Sequence, residues 1–247
     1  MHVPYVNFPA EFEATGNAMI EAISAVLKRG DFILGQEVGT FEKEFAILCG
    51  VKHAVSVANG TDAIILALKT LGIGAEDEVI TASNSWISTA ASIALLGAKP
   101  VFADVDRDQN ISPEAIEKAI TPRTKALLPV HLTGRCCRLP EILKIGRTHG
   151  IPVVEDAAQS VTARVGNMTA GSGGVMGCFS LHPLKNLNAV GDAGVITTND
   201  DELAAKLRLL RHHGLKNRDE VESWGYNSRL DTVQAAVLRT RLPRLKT

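Results

Sequence analysis

The chain has 247 residues, of which 45% are hydrophobic, 21% charged and only 4% aromatic, and its net charge is −1. That length suits one large α/β domain or two small ones with a sizeable core. Near-neutral charge without a long basic run excludes the clustered Lys and Arg of a polynucleotide binder, and no apolar run reaches the length of a membrane span.

The start, Met1-His2-Val3-Pro4-Tyr5, lacks the basic-then-apolar layout of a secretory leader. Helical spacing runs from Glu11 to Leu27 and again from Phe41 to Leu48. His53–Val57 reads as a buried strand, followed by a helix from Thr61 to Leu71. The unit repeats as strand Glu78–Thr81, helix Ser88–Leu96 and strand Lys99–Ala103. It returns as strand Ala126–Pro129, helix Leu139–Thr148 and strand Pro152–Val154. Apolar strands separated by helices predict a three-layer α/β fold, a mainly parallel sheet flanked by helices on both faces. Glycines then crowd Gly166–Gly177, and Gly171–Gly177 reads as a loop. Strands at Cys178–Leu181 and Gly194–Thr198 and helices at Asp201–His212 and Thr232–Leu242 complete the chain. Cys136 and Cys137 are adjacent and Cys49 and Cys178 lie in apolar segments, so all are read as reduced thiols of a cytoplasmic protein.

In open parallel sheets, ligands sit beyond the carboxyl ends of the strands. Asn59-Gly60-Thr61-Asp62 follows a strand and opens a helix, so its free N–H groups, glycine and hydroxyl suit an anion; an Asn-Gly turn with an N-cap would look the same. Glu155-Asp156-Ala157-Ala158-Gln159 ends a buried strand in two carboxylates, where an Asp can pair with a cationic ring nitrogen or simply cap a turn. Lys185 stands in a polar loop just past an apolar strand; a nucleophilic lysine needs such a pocket, whereas an ordinary loop lysine is simply a solvated charge. Gly171-Ser-Gly-Gly-Val-Met-Gly177 is no dinucleotide fingerprint, because a strand-like segment follows where a helix is required. The histidines lack spaced Cys or carboxylate partners, so no metal site is expected. His131 is open between facing a ligand and packing at a strand end.

The segments Asn59–Ala63, Pro129–Arg135, Glu155–Ser160, the Lys185 loop and Gly225–Asp231 occur in this order in the DegT/DnrJ/StrS family of sugar aminotransferases, which the chain resembles over nearly its whole length. The resemblance implies the aspartate-aminotransferase fold (fold type I) and pyridoxal 5'-phosphate as cofactor. It implies that Lys185 forms the Schiff base, that Asp156 faces the pyridine nitrogen and that Gln159 lies near the ring hydroxyl. Gly60, Thr61 and Ser180 match phosphate contacts, Asp62 belongs to the same cofactor-binding turn, and Trp86 matches an aromatic stacked on the ring. Asn227 matches a phosphate ligand from a neighbouring subunit, hence a homodimer with a shared site. His182 and Arg229 are candidates for holding substrate or Lys185, although a loop histidine satisfied by backbone is equally open for His182. The implied reaction converts a nucleotide-linked keto-sugar to an amino-sugar with glutamate as donor.

Relatives continue into a smaller C-terminal domain. Residues 1–247 are therefore read as the cofactor-binding large domain, including an N-terminal helical segment over 1–50, with the small domain absent. Two alternatives follow: a sugar-nucleotide dehydratase, in which histidine replaces the lysine, and a non-catalytic cofactor-binding or regulatory protein. A dinucleotide-dependent oxidoreductase is disfavoured by the missing glycine fingerprint.

Overall fold

Helices α1 (Phe8–Arg29) and α2 (Gln36–Cys49) lead the chain, and Asn7 caps the first by accepting from the Ala10 N–H at 3.2 Å. Elements then alternate as β1 (His53–Val57), α3 (Gly60–Thr70), β2 (Glu78–Ala82), α4 (Ile87–Leu95), β3 (Lys99–Ala103), α5 (Pro113–Ala119), β4 (Thr124–Leu128), α6 (Leu139–His149) and β5 (Val154–Asp156). A hairpin of β6 (Arg164–Val165) and β7 (Met168–Thr169) precedes β8 (Met176–Ser180), β9 (Gly194–Thr198), α7 (Asp201–Leu210) and α8 (Thr232–Arg241). This computed structural model describes residues 3, 4 and 6–246. Met1, His2 and Tyr5, part of the segment read above for a leader, lie outside the described residues, as does Thr247.

The strands β1-β9-β8-β5 form one ladder and β3-β2-β4 another. Parallel bridges Leu127↔Val153 and Val130↔Asp156 join them into one sheet. Every neighbouring pair is parallel except those made by β9, which runs antiparallel to both β1 and β8. The mainly parallel sheet is therefore present, with one reversed strand inside it. That reversal has a local purpose. A parallel successor to β8 would need a long crossover, whereas an antiparallel one starts where β8 ends. The segment 181–193 thus leaves and re-enters the sheet at the same edge, carrying Lys185.

Alternate residues along each strand enter different cores. Val79, Ala126, Leu128, Val154, Cys178 and Ile196 pack with α3 and α7 residues such as Ile64, Leu68 and Leu207. Ile80, Leu127 and Val153 face the opposite side with Ile116, Leu139 and Ile142 of α5 and α6. Ala54, Phe179 and Val195 continue that second side against Phe41 and Phe45 of α2 and Leu238 of α8. Both faces are covered, which is why the strands read as nearly continuous apolar runs.

The glycine-rich segment is an anion wrap of the protein's own making. Glu155 is fully buried and its carboxylate accepts from the N–H groups of Gly171, Gly173 and Gly174 at 2.7–2.8 Å and from His131 Nε2 at 2.7 Å. A side chain at Gly174 would stand 2.4 Å from the Val153 carbonyl oxygen, and one at Gly171, whose φ is 78°, would meet the Phe179 ring at 2.4 Å. Only glycine lets the backbone close on that carboxylate.

Several local expectations shift. The strand expected at Pro152–Val154 lies instead at Val154–Asp156, because Pro152 has no N–H to offer while Asp156 N–H donates to Pro129 O at 2.9 Å and extends the ladder. The β6–β7 hairpin was not expected, although Gly166-Asn167 at its tip is a two-residue turn signal, and β8 begins at Met176 within the stretch read as loop. Helix α5 was not expected; Ser112 at its N-cap and Pro113 at its first position mark it.

Replacing Glu155 by Ala would strand three N–H groups, that of Gly171 buried and those of Gly173 and Gly174 part-buried, together with the His131 ring. The expected cost is about 3–5 kcal/mol, read as a lower midpoint in urea unfolding.

Candidate active site

Past the carboxyl ends of the strands lies a cavity of about 750 Å³. Its walls come from the segments after β1 (Asn59, Gly60, Thr61), β2 (Ser85, Trp86, Thr89), β5 (Asp156, Gln159) and β8 (Ser180, His182, Lys185). Five crossovers and one reversed strand bring these distant segments to a single edge of the sheet.

At one end, the N-terminus of α3 opens onto the cavity. Asn59 Oδ1 caps it by accepting from the Asp62 N–H at 2.8 Å. Gly60 sits against the start of the Lys185 loop so closely that a side chain there would meet Ser180 Cβ at 2.6 Å. The result is a cradle of unprotected first-turn N–H groups with the hydroxyls of Thr61 and Ser180 beside it, an arrangement that attracts an anion. Thr61 Oγ1 is oriented by Ser88 Oγ at 3.1 Å.

On the floor lies Asp156, only 4% exposed. One carboxylate oxygen accepts from Thr89 Oγ1 at 2.8 Å and the other from the Ala158 N–H at 3.2 Å. Thr89 is in turn bonded to Ser85 Oγ at 2.7 Å. Burial pushes the Asp156 carboxyl above the usual range, against the pull of Thr89, Ala158, His131 and Lys185. Facing the same cavity, Lys185 is half-buried, and loss of water lowers its amine below the usual lysine value while the Asp156 charge opposes that shift. An acid that needs a cationic partner and an amine inclined to lose its proton therefore share one cavity.

Gln159 stands at the side wall. Its Oε1 accepts from the Thr133 N–H at 2.6 Å, leaving its amide N–H groups as donors for the cavity. Thr133 is held in a left-handed conformation with φ 54°, which a β-branched residue adopts only under constraint. Trp86 caps the start of α4 at the cavity mouth and is 72% exposed. His182 lines the cavity with its ring Nδ1 accepting from the Leu184 N–H at 3.2 Å.

Three residues expected at the site do not line this cavity. Asp62 turns its carboxylate to Ser228 Oγ at 2.6 Å, because it is on the flank of α3 facing the 225–231 segment. It braces that segment and makes no cavity wall. Arg229 donates to His212 Nδ1 at 3.0 Å, away from the cavity. Asn227 is exposed and pairs in a bridge with His212. His131 is settled in favour of packing: its ring is fully buried between Glu155 and the Cys137 N–H. Conversely, Thr89 and Ser85 were not expected. Nothing local in the sequence marks them, since Thr89 meets Asp156, and Ser85 stands behind Thr89, only through the parallel pairing of the strands.

The DegT/DnrJ/EryC1/StrS aminotransferase family model matches residues 13–247. A UDP-N-acetyl-3-dehydro-alpha-D-glucosamine 3-aminotransferase from Acidithiobacillus ferrooxidans is 45% identical over 244 residues, 98% of this chain and 66% of that protein. Among solved structures, S. venezuelae DesV in complex with a ketimine intermediate aligns with a TM-score of 0.97 at 44% identity, covering 99% of this chain and 66% of that one. NtdA from Bacillus subtilis with bound cofactor PMP aligns with a TM-score of 0.91 at 31% identity, covering 98% of this chain and 56% of the other. The chain thus spans about two thirds of the length of the curated relative.

The buried acid has a measurable consequence. In the cofactor-free protein, Asp156→Asn keeps an acceptor for the Ala158 N–H, and the rotatable Thr89 hydroxyl can accept from the new amide. The variant should gain roughly 1 kcal/mol at neutral pH. Because the folded-state pKa of Asp156 is raised, the advantage vanishes below the ordinary carboxylate range and grows as pH rises through the raised value. Urea midpoints across pH test this; a pH-independent difference would contradict it.

Proposed function

We propose that this chain, which belongs to the DegT/DnrJ/EryC1/StrS aminotransferase family, is the cofactor-binding part of a pyridoxal-phosphate aminotransferase that converts a nucleotide-linked keto-sugar to an amino-sugar. The observation that carries the reading is the joint placement of Asp156 and Lys185 on one cavity with an anion cradle beside them.

The residues fit the cofactor by their own chemistry. The α3 N-terminus, Thr61 and Ser180 would hold its phosphate, where Gly60 leaves the room that a Cβ would fill. Asp156 would meet a ring nitrogen, and a cation there would compensate the charge that burial leaves costly. Gln159 would offer its amide N–H to the ring hydroxyl, and Trp86 would lie over the ring from the cavity mouth. Once bound, pyridoxal phosphate supplies an electron sink for the pair of electrons left when an amine substrate loses its α-proton.

Lys185 has two tasks. Its amine, deprotonated more readily than an ordinary lysine, would hold the cofactor by its aldehyde. When free, the same amine would be a base of fixed position, taking a proton from the substrate carbon and returning it elsewhere. Asp156 would hold the proton on the ring nitrogen it faces. Donation and acceptance of the amino group occur in successive halves on one site, so ping-pong kinetics follow. Glutamate is the proposed donor. Lys185 also separates this reading from the dehydratase alternative, in which histidine takes its place.

A homodimer is part of the proposal. Asn227 lies outside its own chain's cavity, so a phosphate contact from this residue requires a neighbouring copy. The unbridged thiols of Cys49, Cys136, Cys137 and Cys178 fit a cytoplasmic protein.

Added pyridoxal phosphate should turn the protein yellow. Borohydride should then remove the colour and leave the label on Lys185, and Lys185→Ala should stay colourless. Unchanged colour in that variant rules out the assignment. Glutamate should bleach the yellow band; bleaching by no amino donor would favour a binding or regulatory protein.

A further inference from the structure

The Lys185 loop is fastened from behind by a helix that takes no part in the cavity. Its neck is closed by Leu181 N–H donating to Ala193 O and Ala189 N–H donating to Leu181 O, each at 2.8 Å. Beyond the neck, successive peptide groups are held by side chains of α8. Arg241 Nη1 donates to Asn188 O at 2.5 Å and to Ala189 O at 3.4 Å, and Gln234 Oε1 accepts from the Val190 N–H at 2.9 Å. The chain of contacts continues inward. Asn188, whose carbonyl Arg241 holds, donates its own side-chain N–H to Pro183 O at 2.9 Å, just before Lys185. On its outer side Arg241 Nη2 pairs with Glu11 of α1 at 3.2 Å.

Arg241 is costly where it stands. It is 8% exposed, and its Nε has no acceptor among the described residues. A buried guanidinium is commonly no better for stability than an apolar side chain of its size. What an apolar side chain cannot do is hold two carbonyls of a loop in fixed positions. Gln234 and Arg241 lie on one face of α8, two turns apart, so together they grip the loop at separated points.

We infer that Arg241 and Gln234 are positioning residues for Lys185, fixing the backbone of its loop and hence the place of its amine without touching the cavity. The inference rests on the reading of Lys185 as the amine that anchors the cofactor, and its test is separable from that reading. Neither residue lines the cavity, so any effect on Lys185 must travel through the loop.

The test uses the cofactor-free protein and the variants Gln234→Leu, Arg241→Met and Arg241→Lys. Trinitrobenzenesulfonate labels free amines, and peptide mass spectrometry reads Lys185 separately from the exposed control Lys125. With the loop released and wetter, the labelling midpoint of Lys185 should move up by about one pH unit in Gln234→Leu and Arg241→Met. Arg241→Lys, which keeps one donor, should recover part of the shift, and Lys125 should not move. Folded variants that titrate Lys185 as the wild type does would overturn the inference. Should Arg241→Met fail to fold, Gln234→Leu decides alone, since it removes one acceptor and no buried charge. Failure of the parent reading looks different: pyridoxal phosphate and borohydride would leave no label on Lys185 of the wild type.

Discussion

Everything at this site follows from a carboxylate buried at the end of a central strand, to which no described residue is joined in a salt bridge. Asp156 is almost inaccessible and keeps two neutral donors, a threonine hydroxyl and a backbone N–H. Two such bonds orient a charge but do not replace the water it has lost. The protein therefore tolerates an unfavourable group in its interior, and the imbalance points into the cavity where Lys185 stands. A ring cation delivered by a cofactor would relieve that imbalance, linking cofactor affinity to the same burial that weakens the empty fold.

The scaffold spends its regular structure on holding this point steady. Asp156 ends β5, between β4 and β8, so its main chain is fixed from both sides. Next to it, Glu155 faces away from the cavity and gathers the glycine-rich segment and His131 around its own carboxylate. Adjacent acids of one strand thus do opposite work, as alternation requires. The outward one is saturated with donors and structural, while the cavity-facing one is left short of charge compensation and available for chemistry.

Lys185 depends on the reversed strand in a different way. With β9 antiparallel to β8, the connection 181–193 becomes a loop closed at its neck rather than a crossover. A closed loop places an amine over the sheet edge, and the side chains of α8 supply the stiffness that the loop lacks by itself. Gly194 completes the join: a side chain there would stand 2.3 Å from the Asn59 carbonyl oxygen, so the lysine loop and the phosphate-type cradle are packed backbone to backbone. The two halves of the site are thereby locked in register.

Taken alone, the sequence determined the alternation of strands and helices, the sheet with both faces covered, and the polar residues at strand ends, because periodicity and apolar runs are local properties of the chain. The order of the motifs also picked out Lys185, Asp156, Gln159, Ser180, Gly60, Thr61 and Trp86, which all line the cavity. Tertiary structure alone decided the rest. The pairing of Thr89 with Asp156, the bracing role of Asp62, the burial of His131 and the grip of Arg241 on Asn188 join residues far apart in sequence. Such contacts are set by strand order and crossover geometry, and no local pattern of residue types records which helix will come to lie behind a loop.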